Sequence, residues 1–335
     1  MAGFAHTGRP MPKKKRPSSK RILITGGSGC VGHYLVEELV RETTHELVLV
    51  LRNPGKLDLD PALTGRLTIV EADVKDTAAY LDRIGHIDVA ILAAACWGGP
   101  DAWPVNVHTN VTLTKHLAAH GGQRVFYFGS ASVLDRERQM LRAAHDLGTE
   151  YIRSKYELVE ALEYLSPDIE TVGVFPTLIV GGGDGKPMSH FANLLREASR
   201  WAWLANFFRA DGRFHYIHAR DIARTMRLMI DAEQVPDDRP ARIVLGNPAV
   251  TVNEFIDQIA AYKGLWAPFR VTLRESYAQF LIKLFRIQMA AWDRYCMEHR
   301  DLSFRRAINP DAIGGETYCG DLATALAGIG IKGRG

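Results

Sequence analysis

Residues 21–34 read RILITGGSGCVGHY, and this stretch decides the fold. Residues 21–25 form a short β-branched and leucine run, a glycine-dense turn follows, and Val31, Leu35, Val36, Leu39 and Val40 then recur at helical spacing. Strand, turn and helix therefore succeed one another directly. The turn carries Gly26-x-x-Gly29-x-x-Gly32. Glycine at such points permits a tight turn, lets backbone N–H groups approach a pyrophosphate and allows close packing of helix on strand, while the helix N-terminus adds partial positive charge. A glycine triplet alone is weak; between a strand and a helix it has the context of a dinucleotide site. Gly26, Ser28, Gly29, Cys30, Val31 and Gly32 are the candidate phosphate contacts.

Working outward, ELVLVLR at 46–52, RLTIVEADV at 66–74, DVAILAAA at 88–95, RVFYFGS at 124–130 and ETVGVFPTLIV at 170–180 repeat the buried-strand pattern. Helical periodicity fills 76–84, 105–120 and 151–165 between them. This alternation predicts an α/β fold of the Rossmann type, a doubly wound parallel sheet with right-handed crossovers. After Gly181 the alternation breaks down into a smaller, helix-rich lobe. There 190–208 reads helical, 214–218 and 241–247 read as strands, and Thr251 with Glu254 forms a capping box ahead of a helix. The expected division is a basic tail over 1–19, a nucleotide-binding domain over 20–180 and a substrate lobe over 181–335, partly stitched back to the sheet.

Composition narrows the function. The chain has 335 residues, 47% hydrophobic and 24% charged, the proportions of a globular protein. Its net charge of +3 comes from a tail in which Arg9, Lys13, Lys14, Lys15, Arg16 and Lys20 face no acid. Without them 35 cations stand against 38 acids, so the body offers no basic face for nucleic acid. The tail is read as a solvated arm. Four cysteines lack CxxC spacing and have no histidine at zinc-finger distance, so neither a disulfide framework nor a metal site is expected. His215 and His218, three apart in a strand, point to opposite faces and cannot share a metal. The apolar stretch 277–297 is broken by Lys283, Arg286, Asp293 and Arg294 and fails as an integral membrane span. With no apolar secretory core behind the basic stretch, a cytoplasmic location is expected.

Two further signals concern chemistry. The second strand ends in Leu51-Arg52-Asn53, where a site for NAD commonly has an acid that accepts from the ribose hydroxyl. A guanidinium there suits a 2′-phosphate, which favours NADP and leaves NAD open. Tyr151 and Lys155, at i and i+4 of a helix, lie one turn apart on one face, and Ser130 ends a strand upstream. An ammonium beside a phenol, with an oxidised nicotinamide, favours the phenolate; lowering its pKa by two would take about 2.7 kcal/mol. Tyr151 would then be the general acid or base, Lys155 would hold the nicotinamide ribose, and Ser130 would bond the substrate oxygen.

The segments ITGGSGCVG, EADV, NVTLTKHLAA, VFYFGSASV, YIRSK, FPTLIVGGG and YIHARDIA together resemble the extended short-chain dehydrogenase/reductase superfamily, of the NAD-dependent epimerase/dehydratase type, from about Lys20 onward. The resemblance implies catalysis by Ser130, Tyr151 and Lys155. It also implies cofactor contacts from Asp73 and Val74, from Ala93 and Ala94, from Asn110, and from Pro176 and Thr177, and a homodimer built from two helices of the sheet domain.

Departures from that pattern bear on the reaction. Ala131-Ser132 stands where related sugar-nucleotide dehydratases carry an acidic pair, Phe214 where epimerases present an arginine to a diphosphate (Arg213 is adjacent), and Phe175 where the family usually has arginine. The connection from Ser130 to Tyr151 lacks the usual Pro-rich loop and reads helical. Trp97, Trp103, Trp201, Trp203, Phe207, Phe208, Trp266 and Phe269 make the substrate side aromatic, suiting an apolar or ring-bearing small molecule as well as lobe packing. Within 277–295 Tyr277, Leu281, Leu284, Gln288, Ala291 and Tyr295 recur at helical spacing, a stripe that suits lobe packing first and a membrane surface or pocket cover second. The first expectation is an NADP-dependent oxidoreductase acting at a ketone or secondary alcohol. The alternatives are a nucleotide-sugar epimerase and a non-enzymatic nucleotide sensor, the last disfavoured by the intact Ser130, Tyr151 and Lys155.

Overall fold

The central strands flanking the glycine turn are apolar on both faces, and alternation along each feeds two separate cores. Of β1 (Arg21–Thr25), Ile22 and Ile24 enter one core and Leu23 the other; of β2 (Glu46–Leu51), Leu47, Leu49 and Leu51 oppose Val48 and Val50 in the same way. A sheet buried on both faces has to be covered on both, and parallel strands with crossover helices achieve this. The computed structural model describes residues 19–165, 169–235, 240–272 and 290–334.

The main sheet adds β3 (Leu67–Glu71), β4 (Val89–Leu92), β5 (Arg124–Phe128) and β6 (Glu170–Pro176). Further on come β7 (Leu178–Val180), β8 (Phe208–Arg209), β9 (Arg213–Phe214), β10 (Tyr216–His218), β11 (Ala241–Leu245), β12 (Val250–Thr251) and β13 (Val271–Thr272). Seven strands run parallel in the order β11-β6-β5-β4-β1-β2-β3, a doubly wound Rossmann-like sheet whose chain reverses direction of growth between β1 and β4.

Helices α1 (Cys30–Glu42), α2 (Leu81–Ile84), α3 (Thr109–Ala119), α4 (Arg142–Leu147) and α5 (Glu150–Tyr164) belong to the first lobe. The second begins with α6 (His190–Ala198), α7 (Ala202–Ala205), α8 (Ala219–Asp231) and α9 (Val252–Lys263). One face of the sheet is covered by α1 and α8, which contribute Leu35, Leu39, Ile222 and Met226 to a shared core, and the other by α3 and α5. A third, smaller core around Leu195, Tyr216, Phe255 and Leu326 belongs to the second lobe.

Three expectations change. ETVGVFPTLIV is two strands: Pro176 ends β6, Thr177 donates both its amide and its hydroxyl to the Leu245 carbonyl, and β7 leaves to pair with β10. The helix expected over 76–84 shrinks to a 3-10 turn at Thr77–Ala79 and the four residues of α2. They are separated at Tyr80, whose buried hydroxyl donates to Val74 instead of facing along a helix. The 134–150 connection is helical only in α4, after a Leu134–Met140 bridge. The capping box at Thr251 and Glu254 is present. Residues 1–18 of the basic arm, and 277–289 of the apolar stripe, lie outside the described residues; the stripe's end falls in a helix at Ala291–Glu298. Among the described residues no helix is long and apolar enough to cross a membrane.

Candidate active site

The glycine turn is built as its sequence requires. Gly26 has φ +75°, and a Cβ there would lie 2.7 Å from the Ala94 nitrogen, so the turn rests directly on the backbone at the end of β4. At Gly32 a Cβ would lie 2.1 Å from the Gly26 carbonyl oxygen, which leaves glycine as the only residue that fits. The Gly29 amide closes the turn onto Gly26 (3.0 Å). Helix α1 starts with no side-chain cap and no acid in its first turn, so its leading N–H groups remain available to an anion. These features fit a dinucleotide pyrophosphate. Ser28 is half-buried in the turn, and Val31 packs on the core. The Cys30 thiol turns towards Gly181 and Ser189, and burial pushes it up to about 12, so the cysteine offers the phosphates its backbone alone.

Arg52 is exposed at the end of β2, and Asn53 beside it folds its carboxamide back onto the Gly55 amide (3.0 Å). Asp73 accepts from the Lys75 amide (3.1 Å), and the Val74 carbonyl accepts from Tyr80 (2.7 Å) and Thr109 (3.3 Å). Pro176 and Thr177 are fastened to Leu245 of β11.

Asn110 is buried and tied back onto the preceding turn. Its carboxamide donates to Val105 and Asn106 within its own helix. The asparagine that organises this region is Asn106, which the sequence reading missed. It accepts from the Cys96 amide (2.9 Å), donates to the Cys96 carbonyl (2.7 Å) and reaches Ser154 Oγ on α5 (2.9 Å). It lies in a π-turn at Pro104–His108 that widens the head of α3 and shifts the facing register there. The signal available was Pro104 just ahead of two asparagines one turn apart.

Ser130, Tyr151 and Lys155 come together. Thr149 caps α5 at the Ile152 amide, so Tyr151 and Lys155 leave the first turns of a fixed helix. Lys155 is buried, its Nζ donates to the Phe128 carbonyl (2.7 Å), and it stands 5.9 Å from the centroid of the Tyr151 ring. The Ser132 hydroxyl sits 2.7 Å from that of Ser130, which stands near enough to the Tyr151 phenol to favour its charged form. Burial pushes the phenol up to about 12, against the lowering effect of Ser130, and pushes the Lys155 amine down to about 7. The expected lowering of the phenol by its neighbour is therefore absent in this state, because the amine is itself discharged by burial and turned onto a carbonyl.

Above this pair lies Trp97, stacked on Tyr151 (centroids 4.3 Å, planes 23° apart) and on His190 at the head of α6 (5.2 Å, 28°). Its loop is pinned on both sides, by Asn106 at Cys96 and by Glu150, which accepts from the Gly99 amide (2.7 Å). The other aromatics divide. Trp103 donates to Glu157, Phe207 packs on Phe269, and Trp201, Trp203 and Trp266 are exposed.

The sequence profile of the NAD dependent epimerase/dehydratase family matches residues 22–246, about two thirds of the chain and all of the sheet. The chain belongs to this family. It is thereby an enzyme of an NAD-dependent class, with the glycine turn, Ser130, Tyr151 and Lys155 in the matched region. The divinyl chlorophyllide a 8-vinyl-reductase of Oryza sativa subsp. indica is 31% identical over 198 residues, 51% of this chain and 47% of that protein. A UDP-N-acetyl-alpha-D-glucosaminuronate decarboxylase of Bacillus cytotoxicus is 26% identical over 153 residues, 43% of this chain and 48% of that protein. The matches thus span about half the length of these curated relatives. Among solved structures, the Bordetella bronchiseptica enzyme WbmG in complex with NAD superposes with a TM-score of 0.61 at 17% identity, covering 96% of this chain and 94% of that one, a likeness of fold.

At the two positions where the resemblance leads one to expect arginine, the side chains pack apolar surface. Phe175 is fully buried with its ring against Gly129 and Gly173, and Phe214 stacks edge-on against Phe255 in the second lobe. His215 spends its ring on Asn247 and Phe304, and among the described residues no cluster of three or more His, Cys, Asp or Glu could hold a metal.

Proposed function

We propose that the protein is an NADP-dependent oxidoreductase that interconverts a ketone and a secondary alcohol, with Tyr151 as general acid/base. The observation that carries this reading is the gathering of Ser130 and of the buried Lys155 amine, one turn further along α5, around the Tyr151 side chain. A bound nicotinamide would supply or accept the hydride. The residues do the rest. With its pKa pushed up to about 12, Tyr151 keeps its proton at neutral pH and is ready to donate it to a carbonyl oxygen. Ser132 restricts the rotation of the Ser130 hydroxyl, which holds that oxygen in line. Lys155, linked to Phe128, is positioned to take the ribose hydroxyls.

Two absences argue against the other family reactions. Neither Ala131 nor Ser132 offers a carboxylate for water elimination, and Phe214 gives no cation to a sugar diphosphate. The preference for NADP rests on Arg52, exposed where a ribose-binding acid would otherwise stand.

The test is turnover of NADPH with a panel of cyclic and aryl ketones, read as loss of reduced-nicotinamide absorbance. Tyr151→Phe is expected to lower kcat by about 100-fold or more while NADPH binding persists. A nucleotide that co-purifies tightly and is never released during turnover, with UDP-sugars interconverted, would establish epimerisation instead.

A further inference from the structure

Three tryptophans on the second lobe stand largely in water: Trp201 (63% exposed), Trp203 (53%) and Trp266 (80%). Phe269, Leu204 and Val271 are exposed on the same two segments. The two segments that carry them lie side by side, because β8 pairs with β13, the Val271 amide donates to Phe207, and Lys263 donates to the Ser199 carbonyl. Summed over the aromatic residues, the exposed area is on the order of 600 Å².

The charges around this face are one-sided. Within residues 196–209 and 257–272 the cations are Arg196, Arg200, Arg209, Lys263 and Arg270, against Glu197 and Asp257. Asp257 is shared by Arg209 (2.6 Å) and Arg270 (3.0 Å), leaving an excess of positive charge, and Arg196 and Arg200 project into solvent. Indole rings are amphipathic and settle at the level of lipid headgroups, where neighbouring cations meet anionic phosphates. Each part alone is ordinary; exposed indoles on neighbouring segments that carry an excess of cations are the combination such a surface selects.

We propose that this face, Trp201, Trp203, Trp266 and Phe269 with Arg196 and Arg200, docks the protein on an anionic lipid surface. The proposal does not depend on the reaction catalysed.

Co-sedimentation of the full chain with vesicles of phosphatidylcholine, with and without phosphatidylglycerol, tests it, with brominated lipids to quench indole fluorescence. Binding to the anionic vesicles is expected, with tryptophan quenching. It should weaken about tenfold in Trp201→Ser/Trp203→Ser/Trp266→Ser, and similarly at high salt or in Arg196→Glu/Arg200→Glu. These positions are exposed, and NADPH titration with circular dichroism checks that the variants fold. Failure to bind anionic vesicles, or binding unaltered in both variants, overturns the proposal. So does a dimer that the tryptophan variant dissolves, which would assign the face to a second copy, or indoles shielded from an aqueous quencher without lipid, which would mean that the chain covers its own patch. Because no turnover is measured, an inactive protein that binds vesicles leaves the docking intact, and an active one that ignores them removes only the docking.

Discussion

Replacing Lys155 by methionine should make the cofactor-free protein more stable while destroying its activity. Holding an amine at about 7 instead of 10.5 corresponds to about 5 kcal/mol against the charged form. The folded pKa is the lower one, so below about pH 7 the native state carries a buried ammonium at full cost. Between there and 10.5 the native state holds the neutral amine while the unfolded chain remains charged, and the cost fades. Stability of the wild type therefore rises with pH, by roughly 2 kcal/mol between about pH 7 and about pH 9. Methionine is one atom shorter and unbranched, removes the charge, and forfeits the bond to Phe128, worth about 1 kcal/mol. The variant should gain about 3 kcal/mol near pH 7 and converge on the wild type as the medium becomes alkaline. Urea denaturation of both proteins across that range, without nucleotide, reads this directly. Parallel pH curves, or a variant less stable at neutral pH, would refute the assignment of Lys155 as a buried, discharged amine.

Gly32→Ala should abolish NADPH binding in a fluorescence titration, because the new methyl meets the Gly26 carbonyl at 2.1 Å, whereas Gly29→Ala, whose nearest neighbour is 3.3 Å away, should weaken it only moderately. Arg52→Ala should weaken NADPH about 10- to 100-fold, the worth of a charged hydrogen bond, and leave NADH unchanged; equal losses for both would remove the argument for NADP. Asn106→Leu should cost about 2–4 kcal/mol in thermal or urea unfolding by orphaning both backbone groups of Cys96, and a neutral result would mean that water replaces it. Trp97→Ala should raise KM for aryl ketones more than for small aliphatic ones while kcat changes little; a uniform loss would make the ring a prop for Tyr151 instead of a substrate wall.

The sheet and the convergence of Ser130, Tyr151 and Lys155 were legible because their signals are local. A glycine turn between strand and helix, and a tyrosine one turn from a lysine, carry their geometry within a dozen residues. What escaped was set by distant contacts. Asn106 and Asn110 look alike in sequence, and only the π-turn after Pro104 decides which one reaches Cys96. The burial that raises the Tyr151 phenol and lowers the Lys155 amine was not legible, because spacing along a helix reports proximity and says nothing about desolvation. The break at Pro176 depended on Leu245, a strand that arrives some seventy residues later and offers its carbonyl to Thr177.

That late arrival of β11 constrains how the molecule is born. The strand bordering β6 comes from beyond the start of the second lobe, so a ribosome that has released only the first 180 residues has made a sheet with a raw flank. Nascent chains halted there should cling to chaperones, and fragments cut at the apparent boundary between lobes should precipitate unless 241–245 is supplied. The second lobe is also the hem that finishes the sheet.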